Sequence, residues 1–107
     1  MSKWVNELKN HLNLLFTSKR YMEIAYNLLV YIKKRSREKN PYRSIEWKKY
    51  CLENKIPYPT FYQVVRKLRK YGLIVKEGGH HDGIYRLGTA EALCKVLDRE
   101  WTEFLNA

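Results

Sequence analysis

The chain has 107 residues, room for one domain with a single modest core, and 14% of them are Phe, Trp or Tyr, which excludes a disordered segment. Its formal charge of +10 and pI near 9.7 point to a polyanionic partner, either nucleic acid or an anionic membrane surface. No run of eighteen apolar residues exists and Asn6, Glu7, Lys9, Asn10 and His11 interrupt the first stretch, so the protein is expected to have no membrane span or secretion signal and to be cytoplasmic.

The charge is unevenly placed, at +7 over residues 1–43, +5 over 44–88 and −2 over 89–107, so the last segment faces something other than the polyanion. Cys51 and Cys94 form no CxxC pair. Each falls on the apolar side of an expected helix and reads as a small buried hydrophobe, although spacing alone leaves a bridge open.

In chain order, residues 3–16 form the first expected helix, with Trp4, Val5, Leu8, Leu12, Leu15 and Phe16 apolar. Positions 5, 8, 12 and 15 make one seam with a spacing near 3.5. Thr17 breaks it and Ser18 is a suitable N-cap for a second helix from Lys19 or Arg20 to Ser36. That helix buries Met22, Ala25, Leu28, Leu29 and Ile32, with Tyr21, Tyr26, Val30 and Tyr31 around them. Lys33 to Arg43 reads as a charged exit and loop whose six cations either touch phosphate or are simply solvated.

Ser44 looks like the cap of a short helix carrying Ile45, Trp47, Lys48, Cys51 and Leu52, which ends near Asn54 and Lys55 because Ile56-Pro57 disfavours continuation. The helix over 59–71 follows at once and has both ends marked. Pro59 belongs in a first helical turn, and Gly72 suits a left-handed cap. Phe61, Val65 and Leu68 face the core. Thr60, Tyr62, Gln63, Arg66, Lys67 and Lys70 face outward, and no acid occurs from Tyr58 to Lys76. A face built only for solubility would mix both signs, because like charges three and four apart repel.

The period then changes to that of strands. Leu73 to Glu77 and Ile84 to Leu87 form a β-hairpin joined by the six residues Gly78-Gly79-His80-His81-Asp82-Gly83. His80, His81 and Asp82 are weighed as a metal site, but adjacent histidines point in different directions, so a flexible polar turn is the reading and no cofactor is expected. Thr89 caps a last helix to about Leu105, with Ala90, Cys94, Leu97, Trp101 and Phe104 in a second narrow seam.

The order helix, helix, turn, basic helix, hairpin resembles the winged helix-turn-helix family of DNA-binding domains over roughly Arg20 to Leu87. Thr60-Phe61-Tyr62, Val65, Leu68 and Tyr71-Gly72-Leu73-Ile74 carry the likeness. The fold class is therefore mainly α with a small β-hairpin, a winged core over 20–87 with extra helices over 3–16 and 89–105. Small archaeal regulators, including those of archaeal viruses and plasmids, are similar in size and in Tyr and Lys richness. The resemblance implies that the helix over 59–71 enters the major groove of double-stranded DNA with Thr60, Tyr62, Gln63, Arg66 and Lys67. The chemistry agrees, since Gln pairs with an adenine edge, Arg with a guanine edge, and Lys67 and Lys70 suit phosphates. Lys76 and Arg86 stand on the wing stems. The wing tip lacks the Arg or Lys that the family often places in the minor groove.

The expected function is sequence-specific DNA binding by a transcriptional regulator, with the protein located in the nucleoid or, if viral, inside the host cell. The terminal seams either pack together within one chain or pair across a twofold axis. A homodimer is favoured, with Trp4, Leu8, Leu12, Leu97, Trp101 and Phe104 at its core and two recognition helices about one DNA turn, roughly 34 Å, apart. The alternatives are a winged protein-interaction module in a larger complex, and a non-specific binder of RNA or single strands that stacks bases on Tyr42, Tyr50 and Tyr58. No catalytic constellation, phosphate loop or metal spacing stands out, so no enzyme activity is expected.

Overall fold

A computed structural model of the chain describes residues 8, 12–38, 42–43, 46–78 and 83–107. The elements are a single 3-10 turn (Leu12–Leu14), α1 (Lys19–Arg37), β1 (Tyr42–Arg43), α2 (Trp47–Glu53), α3 (Tyr58–Lys70), β2 (Ile74–Glu77), β3 (Ile84–Leu87) and α4 (Glu91–Asn106). The protein is mainly helical, with one small antiparallel sheet. No helix among the described residues is long and apolar enough to cross a membrane.

Ser18 caps α1 as expected, its Oγ accepting from the Tyr21 N–H at 3.4 Å. The helix runs one residue past the expected end, so Lys33 and Lys34 at the charged exit are helical and Arg37, read as part of the loop, is helical as well. The cation at position 35 turns inward. The Arg35 Nη1 lies 3.0 Å from Glu46 Oε2 and 2.6 Å from the Tyr31 hydroxyl, which ties the end of α1 to the start of α2. Burial alone would lower the pKa of Arg35, and the bonds to Glu46 and Tyr31 more than reverse that and raise it. Arg35 is therefore a structural cation and not one of the six available to phosphate.

Ser44 and Ile45 lie outside the described residues, as do Trp4 and the wing-tip residues His80, His81 and Asp82. Helix α2 begins at Trp47 behind Glu46, which makes no side-chain cap bond. Its end is a two-bond cap in which Ile56 N–H donates to Cys51 O at 2.9 Å and Lys55 N–H to Leu52 O at 3.4 Å. Lys55 occupies the left-handed position of that cap, at φ 54°, where glycine is usual. The end of α3 repeats the motif with the expected residue. Gly72 has φ 78°, and Leu73 N–H donates to Leu68 O at 2.9 Å and Gly72 N–H to Arg69 O at 3.1 Å.

The sheet has three strands in the order β1-β3-β2, one more than the expected hairpin. Within the stretch read as a loop, Tyr42 pairs with Tyr85 and Arg43 with Ile84, so β1 fastens the hairpin to the junction between α1 and α2. The hairpin lies where expected except that its first strand begins at Ile74 rather than Leu73, with Ile74 opposite Leu87 and Glu77 opposite Ile84.

The core is shared by α1, α2, α3 and the sheet. Leu28 and Ile32 from α1, Val64 and Leu68 from α3, and Ile74 from β2 are fully enclosed, each contributing about 1.5–3 kcal/mol. Val64 and Ile24 are additions to the expected core, while Val30 and Leu52 are exposed. Tyr50 is buried at 5% exposure, which removes it from any base-stacking surface; its hydroxyl is pushed up to about 12 by burial, with Tyr31 and Cys51 adding to the shift. Cys51 is buried as expected and Cys94 is exposed, so only one of the two behaves as a core residue.

Within the expected 3–16 helix Leu8 is helical as expected, while residues 12–16 make a 3-10 turn and then leave helical geometry, with Leu12, Leu15 and Phe16 buried in the core. Leu12, at 2% exposure, packs inside its own chain and is not available to a second copy.

At the other end Thr89 does not cap α4. Ala90 takes the cap position at φ 57°, without a side-chain bond, because the backbone is held from across the molecule. Gly88 N–H donates to Leu73 O at 2.9 Å, Ala90 N–H to Gly72 O at 2.9 Å and Leu93 N–H to Tyr71 O at 3.2 Å. A Cβ on Gly88 would collide with the Gly72 carbonyl, so this close approach requires glycine.

Candidate nucleic-acid interface

Helix α3 buries Phe61, Val64, Val65 and Leu68. At 100° per residue these four define the inward arc, and the opposite arc is centred on Pro59, Gln63, Arg66 and Lys70. Tyr62 and Arg69 flank that row on one side, Thr60 and Lys67 on the other. Tyr62, Gln63, Arg66, Lys67, Arg69 and Lys70 are exposed and Thr60 is partly covered. Arg69 belongs to the same basic face although the sequence reading passed over it. Its membership in the acid-free run was the available signal. It also acts on Tyr85, whose hydroxyl is pushed up by burial while Arg69 pulls it down.

The outward side chains are not equally free. The Tyr21 hydroxyl, from the first turn of α1, donates to Gln63 Oε1 at 3.0 Å. That bond uses one lone pair of the amide oxygen and restricts its rotation. The second lone pair and the amide NH2 remain, which is the acceptor-donor pair an adenine edge requires. Tyr21 is thus a positioning residue that periodicity could not identify, because 42 residues separate the two partners. The Lys67 ammonium leans back over the Phe16 ring at 5.6 Å from its centroid, and Lys70 lies 5.5 Å from that of Tyr71.

On the wing stems Lys76 is partly buried. Arg86, expected to contact DNA, is paired across the hairpin in an exposed contact: its Nε donates to Glu77 Oε2 at 2.9 Å. A carboxylate on the guanidinium cancels most of the attraction for phosphate, so the bond to Glu77 would have to open before Arg86 could contribute.

Next to α3 an aromatic row runs outward from Trp47 through Tyr58 to Tyr62, with ring centroids 4.1 and 6.2 Å apart. Tyr58 and Tyr62 form its exposed end, at 48% and 53%. Tyr58 therefore keeps the access that the sequence suggested and Tyr50 does not.

The residues assigned to a twofold contact divide into three groups. Trp4 lies outside the described residues and Leu12 is in the core. Leu8, Leu97, Trp101 and Phe104 are exposed at 43%, 45%, 60% and 69%. Helix α4 buries none of its residues; Ala92, Leu93 and Val96 are partly covered, and from Leu97 onward it stands clear.

No curated protein and no solved structure matches the chain. A family model described as archaeal matches residues 6–105, nearly the whole length, and the chain belongs to that archaeal family.

Proposed function

We propose that this archaeal protein is a winged helix-turn-helix regulator that binds double-stranded DNA sequence-specifically as a homodimer inside the cell. The outward arc of α3 carries the reading. It presents Gln63, Arg66 and Lys70 in a row flanked by Lys67 and Arg69, without any acid. Thirteen residues give α3 a length of about 20 Å, and its width fits the major groove. In this reading Gln63, oriented by Tyr21, and Arg66 meet base edges, Thr60 and Tyr62 offer hydroxyls to bases or phosphates, and Lys67, Lys70 and Lys76 hold phosphates. The pairing of β1 with β3 supports it further, because it locks the hairpin to the helical pair so that wing and α3 approach DNA as one body. The exposed stripe of α4 supplies an apolar surface for a second copy.

Selection from a random duplex library tests the proposal, with the selected site then measured against Arg66→Ala. A palindromic site with half-sites one turn apart is expected, and the variant should lose discrimination at one base position per half-site by about 1–3 kcal/mol. Binding with no preferred duplex would make the protein a non-specific nucleic-acid binder. Absence of binding at moderate salt would leave an interaction module.

A further inference from the structure

Two surfaces of this chain lack a counterpart among its own described residues. The first is the apolar stripe of α4, formed by Leu97, Trp101, Phe104 and Leu105, with 45–69% of each exposed. Asp98 borders the stripe on one side and Glu100 on the other, by their positions on the helix. The second is a groove of about 610 Å³ between α1 and the base of the hairpin. Leu29, Leu73 and Leu87 line it, and Lys33, Lys34 and Arg37 stand along its edge beside a single acid, Glu38. One surface is apolar with acidic borders and the other is apolar with a border that is basic on balance, three cations to one acid.

We infer that in the homodimer the C-terminal helix of each copy lies in this groove of the other, its Trp101 and Phe104 on the leucine floor and its Asp98 and Glu100 against Lys33, Lys34 and Arg37. The inference rests on the homodimer reading and specifies how that dimer is built. A helix cannot fill the groove of its own chain. The backbone bonds from Ala90 to Gly72 and from Leu93 to Tyr71 pin its first turn beside the groove's Gly88 end, and it then runs unbroken to Asn106. The stripe from Leu97 to Leu105 is carried away from that anchor by a rigid rod, so α4 of the same chain is not the occupant, and the complementary charges select α4 of a second copy.

The area is sufficient. Two aromatic and two leucine side chains at these exposures offer roughly 400 Å² per helix. The groove walls they cover offer about half as much. Two such contacts related by a twofold axis bury on the order of 1,200 Å², the lower end of the range for a stable specific interface. The charges then set register and orientation rather than most of the affinity. The assignment also accounts for the negative charge of residues 89–107 in a strongly basic protein, since that helix faces the cations of α1 and not DNA.

The test is a charge exchange read by mass in solution, without DNA, over a range of protein concentrations. One variant carries Asp98→Lys and Glu100→Lys; the other carries Lys33→Glu and Lys34→Glu. All four positions are exposed, so both variants should keep the wild-type helical spectrum. The wild type should dimerise, and each variant alone should dimerise on the order of a hundredfold more weakly, because like charges then meet at both contacts. An equimolar mixture should recover the dimer, since in the heterodimer each lysine-bearing helix meets a glutamate-bearing groove and each native helix a native groove. If the helix variant weakens the dimer while the groove variant does not, the helices pair with each other and the groove assignment is wrong. A wild type that stays monomeric would overturn the homodimer reading together with this one, while binding of the same sample to duplex DNA reports separately on the DNA reading.

Discussion

Lys70→Ala gives the most direct measure of how α3 is used. Lys70 lies on the outward arc, one turn beyond Arg66, with its ammonium over the edge of the protein at Tyr71. If Lys67, Lys70 and Lys76 each hold one phosphate, a dimer makes six such contacts. The logarithm of affinity should then fall with the logarithm of salt at a slope of about −0.9 × 6, or roughly −5.4. Removing Lys70 from both copies leaves four contacts and a slope of about −3.6. Between 50 and 200 mM salt the wild type would lose on the order of 2,000-fold in affinity and the variant only on the order of 150-fold. Fluorescence anisotropy on one labelled duplex at four salt concentrations resolves that difference. The loss should be the same on specific and random duplex, because a phosphate contact reads no sequence. An unchanged slope in Lys70→Ala would show that this face does not meet the backbone, and a wild-type slope near −2.7 would show that a single copy binds.

Glu77→Gln should release Arg86 from its 2.9 Å pair and raise affinity for random duplex severalfold, with little change in stability because the pair is exposed; anisotropy and urea unfolding read the two effects. Gly88→Ala drives a Cβ into the Gly72 carbonyl and should lower the urea midpoint by the equivalent of about 2–3 kcal/mol, and a midpoint within error of wild type would mean that the approach of the two segments is not tight. Tyr50 favours its protonated form in the fold, with a folded value of about 12 against an ordinary value near 10. Its contribution is therefore complete below pH 10 and lost as pH rises toward 12, at about 1.4 kcal/mol per pH unit. Stability of Tyr50→Phe should fall less steeply than wild type over that window.

Elements with local causes were legible in the sequence. Helix α3 could be bounded at both ends because Pro59 and Gly72 act through their own φ, and α1 could be started at Ser18 because its hydroxyl bonds three residues away. Strand β1 could not be found that way. Two residues have no periodicity, and their strand geometry comes from β3, more than forty positions later. Arg35 looked like its basic neighbours, and only Glu46, eleven residues on, separates it from them. The bond from Tyr21 to Gln63 has the same non-local origin. Helical spacing also groups residues on a face without saying whether anything covers it. That is why Cys94 was expected to be buried and is exposed, while Leu12 was assigned to a contact between copies and lies inside one. At position 90 a local rule was overridden: Thr89 had the right chemistry for a cap, but the carbonyl of Gly72 took hold of the next residue.

The bonds by which Ala90 and Leu93 hold Gly72 and Tyr71 also couple two directions in space. The cap of α3 at Tyr71 and Gly72 and the first turn of α4 are bonded directly, so α4 acts as a lever on α3. From Leu93 to Phe104 the arm is about 16 Å long, and a 10° swing at its base moves the far end by about 3 Å. Run in reverse, a shift of that size wherever the far end is gripped would tilt the outward face of α3 by the same 10°. If α3 reads DNA as proposed, the angle between its two copies is set by how the arms are seated, and the spacing of tolerated half-sites becomes a property of the C-terminal helix.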